Sequence, residues 1–277
     1  MGYGDDLMTT GIARELKAQF PTSKILVGDG EGEYLSPIFW HNPNIDHLTF
    51  VTPKDHVVWI KDYPTHRPYL DYQKSNEDKQ VFIPHFKAVN GNLYFTDKEI
   101  ETAKKLVKAL GFFIVVEPNV APKFEKNKDW GFNKWQELVD RFQGKVDIVQ
   151  MGSEQKMLRG VHRIVTENFR IACAVLSRAG LFIGTEGALH HAAAALNISG
   201  VVIFGGRISP ALTGYDLHTN FYIDAPDSPC GWISDCAHCI ECMRKIDVQQ
   251  IAEALEEKLL EVDLSFSKQI IGDKNGR

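Results

Sequence analysis

Leu181-Phe182-Ile183-Gly184-Thr185-Glu186-Gly187-Ala188-Leu189-His190-His191, followed by Val201-Val202-Ile203-Phe204, is the stretch on which the fold turns. Two short apolar runs, Leu181 to Gly184 and Val201 to Phe204, flank an alanine-rich segment from Glu186 to Leu196. Continuous apolar runs suit strands buried on both faces of a parallel sheet, and the segment between them reads as the helix that crosses from one to the next. The unit repeats upstream. Phe112 to Val116 reads as a strand, residues 117–131 as a loop, 132–143 as a helix, 145–151 as a strand, and a helix then ends near Ala179. Before them, Thr96-Asp97-Lys98-Glu99 has the pattern of a capping box, and Ile100, Ala103, Leu106, Val107 and Leu110 recur at helical spacing until Gly111. A last helix is expected over 247–261, with a loose tail after Asp263. The β-α-β-α-β alternation predicts an α/β fold with a doubly wound parallel sheet.

The earlier part of the chain is shorter and less regular. Thr9 to Phe20 reads as a helix with Ile12, Leu16 and Phe20 on one face, closed by Pro21. Lys24 to Gly28, His47 to Val51 and His56 to Ile60 read as strands, and the polar, Pro- and Tyr-rich residues 62–80 as irregular surface. The expected division is a reduced N-terminal domain over 1–95, a C-terminal Rossmann-like domain over 96–262 and a tail over 263–277.

The 277 residues are 44% hydrophobic and 24% charged, which is globular composition and excludes a disordered or collagen-like chain. Apolar stretches of about five to seven residues fall far short of the ~20 that a membrane helix needs. No charged start precedes an apolar run, so a cytoplasmic protein is expected. The net charge of -5 argues against a nucleic-acid partner, whose phosphates call for a basic excess.

Loops that follow strands are where such folds bind ligands, because helix N-termini there present unpaired backbone N–H groups. Three qualify. In Gly184 to His191, Thr185 is placed to cap the helix, Gly187 lets a ligand approach the backbone, and His190 falls on the first turn. In Glu117 to Gly131, Lys123, Lys126 and Lys128, with Lys134 beyond, could neutralise a diphosphate or form a solvated basic loop. In Phe204 to Pro210, Gly205 and Gly206 suit close approach to a ligand or a simple tight turn. At the start, Gly2-Tyr3-Gly4-Asp5-Asp6 offers a carboxylate as a general base or as a helix cap. Cys230, Cys236, Cys239 and Cys242 can supply four thiolates to a tetrahedral zinc or iron, with His238 as a substitute ligand; buried thiols are the alternative.

Taken in order, five of these segments resemble glycosyltransferase family 9, the ADP-heptose:lipopolysaccharide heptosyltransferases and their relatives. Gly4-Asp5-Asp6-Leu7-Met8-Thr9-Thr10 is similar to the family's Gly-Asp-x-Leu-x-Thr loop, and Lys128-Asp129-Trp130 to its Lys-x-Trp segment. Gly184 to Ala194 is similar to its Asp-(Ser/Thr)-Gly-x-x-His helix start, and Phe204-Gly205 through Pro210 to its Phe-Gly-x-x-x-Pro loop. Cys230 to Met243 is similar to the cysteine-rich segment of many members. The resemblance implies a GT-B-like fold of two Rossmann-like domains, the N-terminal one reduced. It implies an inverting, metal-independent transfer of a heptose-like sugar from an ADP-linked donor to a cell-surface glycan or protein, at the inner face of the membrane. Carried over by position, Asp5 would be the catalytic base, and Lys128, Glu154, Thr185, Glu186, Gly187, His190, Gly205 and Gly206 would bind the donor. A structural zinc or iron at the cysteines, no organic cofactor and a possible homo-oligomer complete the expectation, with a non-catalytic nucleotide-sugar-binding protein of the same fold as the alternative. Two departures are specific to this chain: only Met1 precedes Gly2 where a first strand is usual, and the family's Asp-(Ser/Thr)-Gly reads Thr185-Glu186-Gly187.

Overall fold

Each apolar run of the C-terminal half forms a strand, and the two-residue period of a strand sends its side chains alternately into two different cores. The computed structural model describes residues 2–63, 66–120, 125–152 and 157–274. The chain begins with helix α1 (Tyr3–Gln19), strand β1 (Lys24–Val27) and strand β2 (Val57–Ile60). Then follow α2 (Asp97–Leu106), β3 (Phe113–Glu117), α3 (Glu125–Lys128), α4 (Phe132–Phe142), β4 (Asp147–Met151) and β5 (His162–Ile164). Helix α5 (Phe169–Leu176), β6 (Leu181–Thr185), α6 (Ala188–Ala195), β7 (Gly200–Gly205), α7 (Pro210–Thr213) and β8 (His218–Tyr222) complete the alternation. Two helices end it, α8 (Ala237–Lys245) and α9 (Val248–Lys274).

Strands β1 and β2 pair in parallel as a two-stranded sheet, and the other six form one parallel sheet in the order β5-β4-β3-β6-β7-β8. That order runs outward from β3 to one edge, returns, and runs outward from β6 to the other, so the connection reverses between β3 and β6. Phe113, Val115, Val149, Phe182, Val202 and Phe204 face one core, shared with α1, α5, α6 and the small sheet. Ile114, Val116, Ile148, Leu181, Ile183 and Val201 face the other, against Trp135 and Leu138 of α4 and Ile251 and Leu255 of α9. The first core is continuous from Leu7 and Ile25 to Phe204, so the two halves of the chain share it.

The doubly wound sheet and the reduced N-terminal half match the expectation from sequence. Three local readings do not. His47 to Val51 is no strand but a short 3-10 turn over Leu48–Phe50, with Phe50 largely exposed, because Glu33 takes the His47 ring and the Leu48 N–H instead of a sheet partner doing so. Helix α1 starts at Tyr3 and not Thr9, which places Asp5 inside the first turn. The last helix continues to Lys274 where a loose tail was expected.

Candidate functional site

Ligand crevices in doubly wound sheets open beyond the carboxyl ends of the strands, where the strand order reverses. The residues that end β3 and β6 are Glu117 and Thr185. A cleft of about 520 Å³ opens beside both, lined on the C-terminal side by Glu117, Lys128, Gly152, Thr185, Glu186, Gly187 and His191. Asp5, Arg67 and Tyr69 from the N-terminal half line the opposite wall. Gly4 makes this approach possible: a Cβ there would lie 2.7 Å from the His191 ring, so a side chain would push α1 away from α6.

Lys128 and Glu186 form a buried ion pair, and the Lys128 ammonium also lies 3.4 Å from the Glu186 carbonyl oxygen. The other Glu186 carboxylate oxygen is 3.6 Å from His191 Nε2, and His191 Nδ1 is 2.7 Å from the Tyr215 hydroxyl. Burial alone would raise the Glu186 pKa, but the Lys128 ammonium and then His191 outweigh it and hold the carboxyl well below its usual range. Gly187 caps α6 and keeps its Cα open towards the cleft, since a Cβ would meet only the Thr185 carbonyl, at 3.9 Å. His190, expected to meet the donor, is fully buried away from the cleft lining, against Phe204, Tyr215 and His218. Burial pushes its pKa well below the usual value, and neither ring nitrogen has a hydrogen-bond partner. The helical phase of α6 brings His191 to the cleft in its place.

On the opposite wall, Asp5 accepts from the Gly2 backbone N–H at 3.2 Å and pairs with Arg67 at 3.4 Å. Arg67 in turn donates to the Tyr69 hydroxyl at 2.9 Å. The cleft also holds a carboxylate that sequence reasoning quoted but passed over. Glu117 ends β3 and accepts from the Asn119 N–H at 2.7 Å, and burial pushes its pKa up to about 7. Its position, last in an apolar strand at the switch point, was the available signal.

Other expected ligands serve a different neighbour. Gly205 and Gly206 pack under the cysteine-rich segment and do not line the cleft: a Cβ on Gly206 would lie 2.5 Å from Cys242 Sγ, and one on Gly205 2.9 Å from Met243 Sδ. Lys126 pairs with Asp235, and Lys134 donates to the carbonyls of Met243, Arg244 and Ile246 at the end of α8. Among the described residues of the basic loop, Lys128 is the cation that reaches the cleft. Lys123 and Glu154 lie outside the described residues.

Cys230, Cys236, Cys239 and His238 bring one ligand atom each within 4.8 Å of one another, so three sulfurs and an imidazole form a group able to hold a metal. The Cys230 and Cys236 sulfurs are 3.9 Å apart. That is close to the edge of about 3.8 Å expected for a tetrahedron with zinc–sulfur bonds, whereas the Cys230 and Cys239 sulfurs, 3.0 Å apart, lie closer than that edge. His238 Nδ1 is buried without a hydrogen-bond partner, which suits a ring available for ligation. Cys242, expected as the fourth ligand, falls outside this group, and its sulfur contacts His238 Nε2 at 3.5 Å. A depression of about 430 Å³ lined by Cys230, Cys236, His238 and Ser228 opens the group to solvent.

No family model matches the sequence, and no curated protein matches it at a significant level. Solved structures do. A family 9 glycosyltransferase from Veillonella parvula superposes with a TM-score of 0.63 at 15% identity, over 94% of this chain and 95% of that one. The chain has a GT-B-like fold. TibC from enterotoxigenic Escherichia coli, described as an iron-containing dodecameric glycosyltransferase, superposes with a TM-score of 0.57 at 12% identity, over 95% of this chain and 74% of that one. Among the described residues, no helix is long and apolar enough to cross a membrane.

Proposed function

We propose that this chain is an inverting glycosyltransferase that moves a heptose-like sugar from an ADP-linked donor to a hydroxyl of a cell-surface glycan or protein. The observation that carries the reading is the cleft at the switch point, where Asp5 on one wall faces Lys128, Thr185 and Gly187 on the other. The donor diphosphate lies at the N-terminus of α6, where backbone N–H groups and Lys128 take up the charge that develops as the anomeric C–O bond breaks. The acceptor oxygen attacks the anomeric carbon from the opposite face and gives its proton to Asp5. Arg67 releases or shares Asp5 for this step, since the two are paired at 3.4 Å. The displacement requires no metal. Cys230, Cys236, Cys239 and His238 hold a structural zinc or iron, a reading supported by their donor set and by the iron-containing TibC. The dodecameric state of TibC supports a homo-oligomer.

Thermal unfolding with ADP, UDP, GDP and CMP tests the donor side. A nucleotide at a hundred times its Kd adds roughly 2.7 kcal/mol, a shift of about 5 °C or more for a chain of this size. ADP should give that shift, and Lys128→Ala should weaken it; no shift with any nucleotide would overturn the reading. The engagement of Asp5 by Arg67 favours one alternative, a nucleotide-sugar-binding protein without turnover. Asp5→Asn separates the two: sugar transfer or donor hydrolysis that falls by about a hundredfold or more, with ADP affinity kept, identifies the base.

A further inference from the structure

The internal charges of the cleft cancel before any ligand arrives. Lys128 is paired with Glu186 and Arg67 with Asp5, and Glu117 adds a further carboxyl. A nucleotide sugar brings two negative charges on its diphosphate to the wall where Glu186 already sits. Glu186 is thus an internal anion that occupies the ammonium the donor needs. It stands one position along from the acidic residue of the motif that this segment resembles, so the arrangement belongs to this chain.

On the reading that the cleft binds a nucleotide sugar, we infer that donor binding transfers Lys128 from Glu186 to the diphosphate and that the Glu186–His191 pair takes up a proton from solvent as it does so. The geometry provides for this. Glu186 is buried, so solvation compensates its carboxylate poorly once the ammonium has left. His191 Nε2 lies 3.6 Å from the carboxylate, and the Tyr215 hydroxyl holds the other ring nitrogen at 2.7 Å, which keeps the imidazole beside it. Among the described residues, the groups acting on Glu186 include Lys128 at the end of α3, His190 and His191 on α6, Tyr69 after β2, Arg207 after β7 and Tyr215 after α7. Arg207 is engaged by Gln80 Oε1 at 2.6 Å and the Trp232 carbonyl at 2.9 Å, so it does not swing to replace Lys128. His190 is held neutral by burial. Lys128 is the cation whose departure leaves Glu186 uncompensated, and burial then favours its neutral form. Glu186, His190 and His191 also lie close enough together to hold a cation, but the Lys128 ammonium already fills that role.

The test is calorimetry with ADP-glucose, whose diphosphate has no titratable proton near neutrality, in buffers of different ionisation enthalpy. At about pH 8 the protein should take up close to one proton per nucleotide, and affinity should fall by up to about tenfold per pH unit over the range in which that uptake occurs. Glu186→Gln should abolish the uptake and bind the nucleotide more tightly than the wild type at that pH. Glu117→Gln is the control, because Glu117 also faces the cleft, and it should keep the uptake. Binding by the wild type without proton uptake overturns the inference and leaves the donor site standing. Uptake that survives Glu186→Gln and vanishes in Glu117→Gln overturns it as well. Should the wild type bind no nucleotide, the donor-site reading falls and this inference with it. Should Glu186→Gln fail to fold, the wild type and Glu117→Gln decide together: uptake kept in Glu117→Gln supports the inference, and uptake lost there overturns it.

Discussion

Asp6 on α1 and Asp62 after β2 are both buried and do not line the cleft. The Ser36 hydroxyl donates to Asp6 at 2.5 Å and the Thr9 hydroxyl to Asp62 at 2.5 Å, while the second oxygen of each carboxyl is buried with no hydrogen-bond partner. Burial pushes Asp6 up to about 6 and Asp62 up to about 8, and each carboxylate raises the other or is raised by its acidic neighbours. Groups whose folded pKa is raised hold their protons longer in the native state. Their contribution is complete below the unfolded value near 3.8 and is lost as pH rises through about 6 and about 8. Unfolding free energy should therefore fall by roughly 5 kcal/mol from about pH 5 to about pH 8, and Asp62→Asn should flatten most of that slope. Urea midpoints measured across this range check it; parallel curves for the two proteins would refute it. The local sequence offered Asp5 and Asp6 together, and only the family resemblance chose Asp5. What distinguishes them is Arg67 on one and Ser36, Thr9 and Asp62 around the other, all brought in by the chain's tertiary course. His190 was expected at the cleft and His191 lines it for a related reason: adjacent residues on a helix point about 100° apart, and only the position of α1 decides which one meets the cleft.

Helix α8 and the segment carrying α3 are built as one unit. Asn127 donates to the Trp232 and Ser234 carbonyls at 3.0 and 2.7 Å and accepts from the Cys236 N–H at 2.9 Å, and the next residue is Lys128. Trp130 Nε1 donates to the Ile246 carbonyl at the far end of α8. The candidate metal group and Lys128, the proposed donor ligand, are thereby tied through one side chain. Cys239→Ser should lose the metal and unfold at a lower temperature. Asn127→Ala should keep about one metal per chain yet weaken ADP binding several-fold, since three hydrogen bonds at about 1 kcal/mol each no longer fix Lys128. Metal analysis beside nucleotide titration measures both, and unchanged ADP affinity in Asn127→Ala would sink the tether. The sequence showed the cysteines and the lysine as separate motifs. It hid α8, because Ala237-His238-Cys239-Ile240-Glu241-Cys242 has no apolar period to read as a helix. It hid β5 for the same reason: His162 and Arg163 are exposed at a sheet edge, whereas the inner strands were legible because both their faces are buried.

The two walls of the cleft come from different halves of the chain, so any chemistry between them depends on how firmly the halves are joined. The shared hydrophobic core supplies much of that connection, and Arg170 on α5 fastens it. Its buried guanidinium makes a two-pronged contact with Glu99 of α2 at 2.6 and 2.8 Å. It also donates to the Tyr94 carbonyl at 2.6 Å and, on the N-terminal half, to the Pro37 carbonyl at 2.9 Å. The Arg170 hydrogen bond lowers Glu99 to about 2, against an opposing effect of burial. Its contribution is present above the unfolded value of 4.5 and is lost as pH falls towards 2. Arg170→Met leaves Glu99 and two carbonyls without their donor and should cost roughly 3–5 kcal/mol at neutral pH. The variant should also lose the part of the acid-induced destabilisation that this pair contributes. On the proposed reading Asp5 belongs to one half, whereas the wall that binds the donor belongs to the other. Loosening Pro37 should therefore lower the rate of sugar transfer more than it weakens ADP binding. Denaturant titrations across pH, set beside the nucleotide Kd and kcat of the variant, measure both effects, and equal losses in binding and turnover would show that the walls are held together by something other than Arg170.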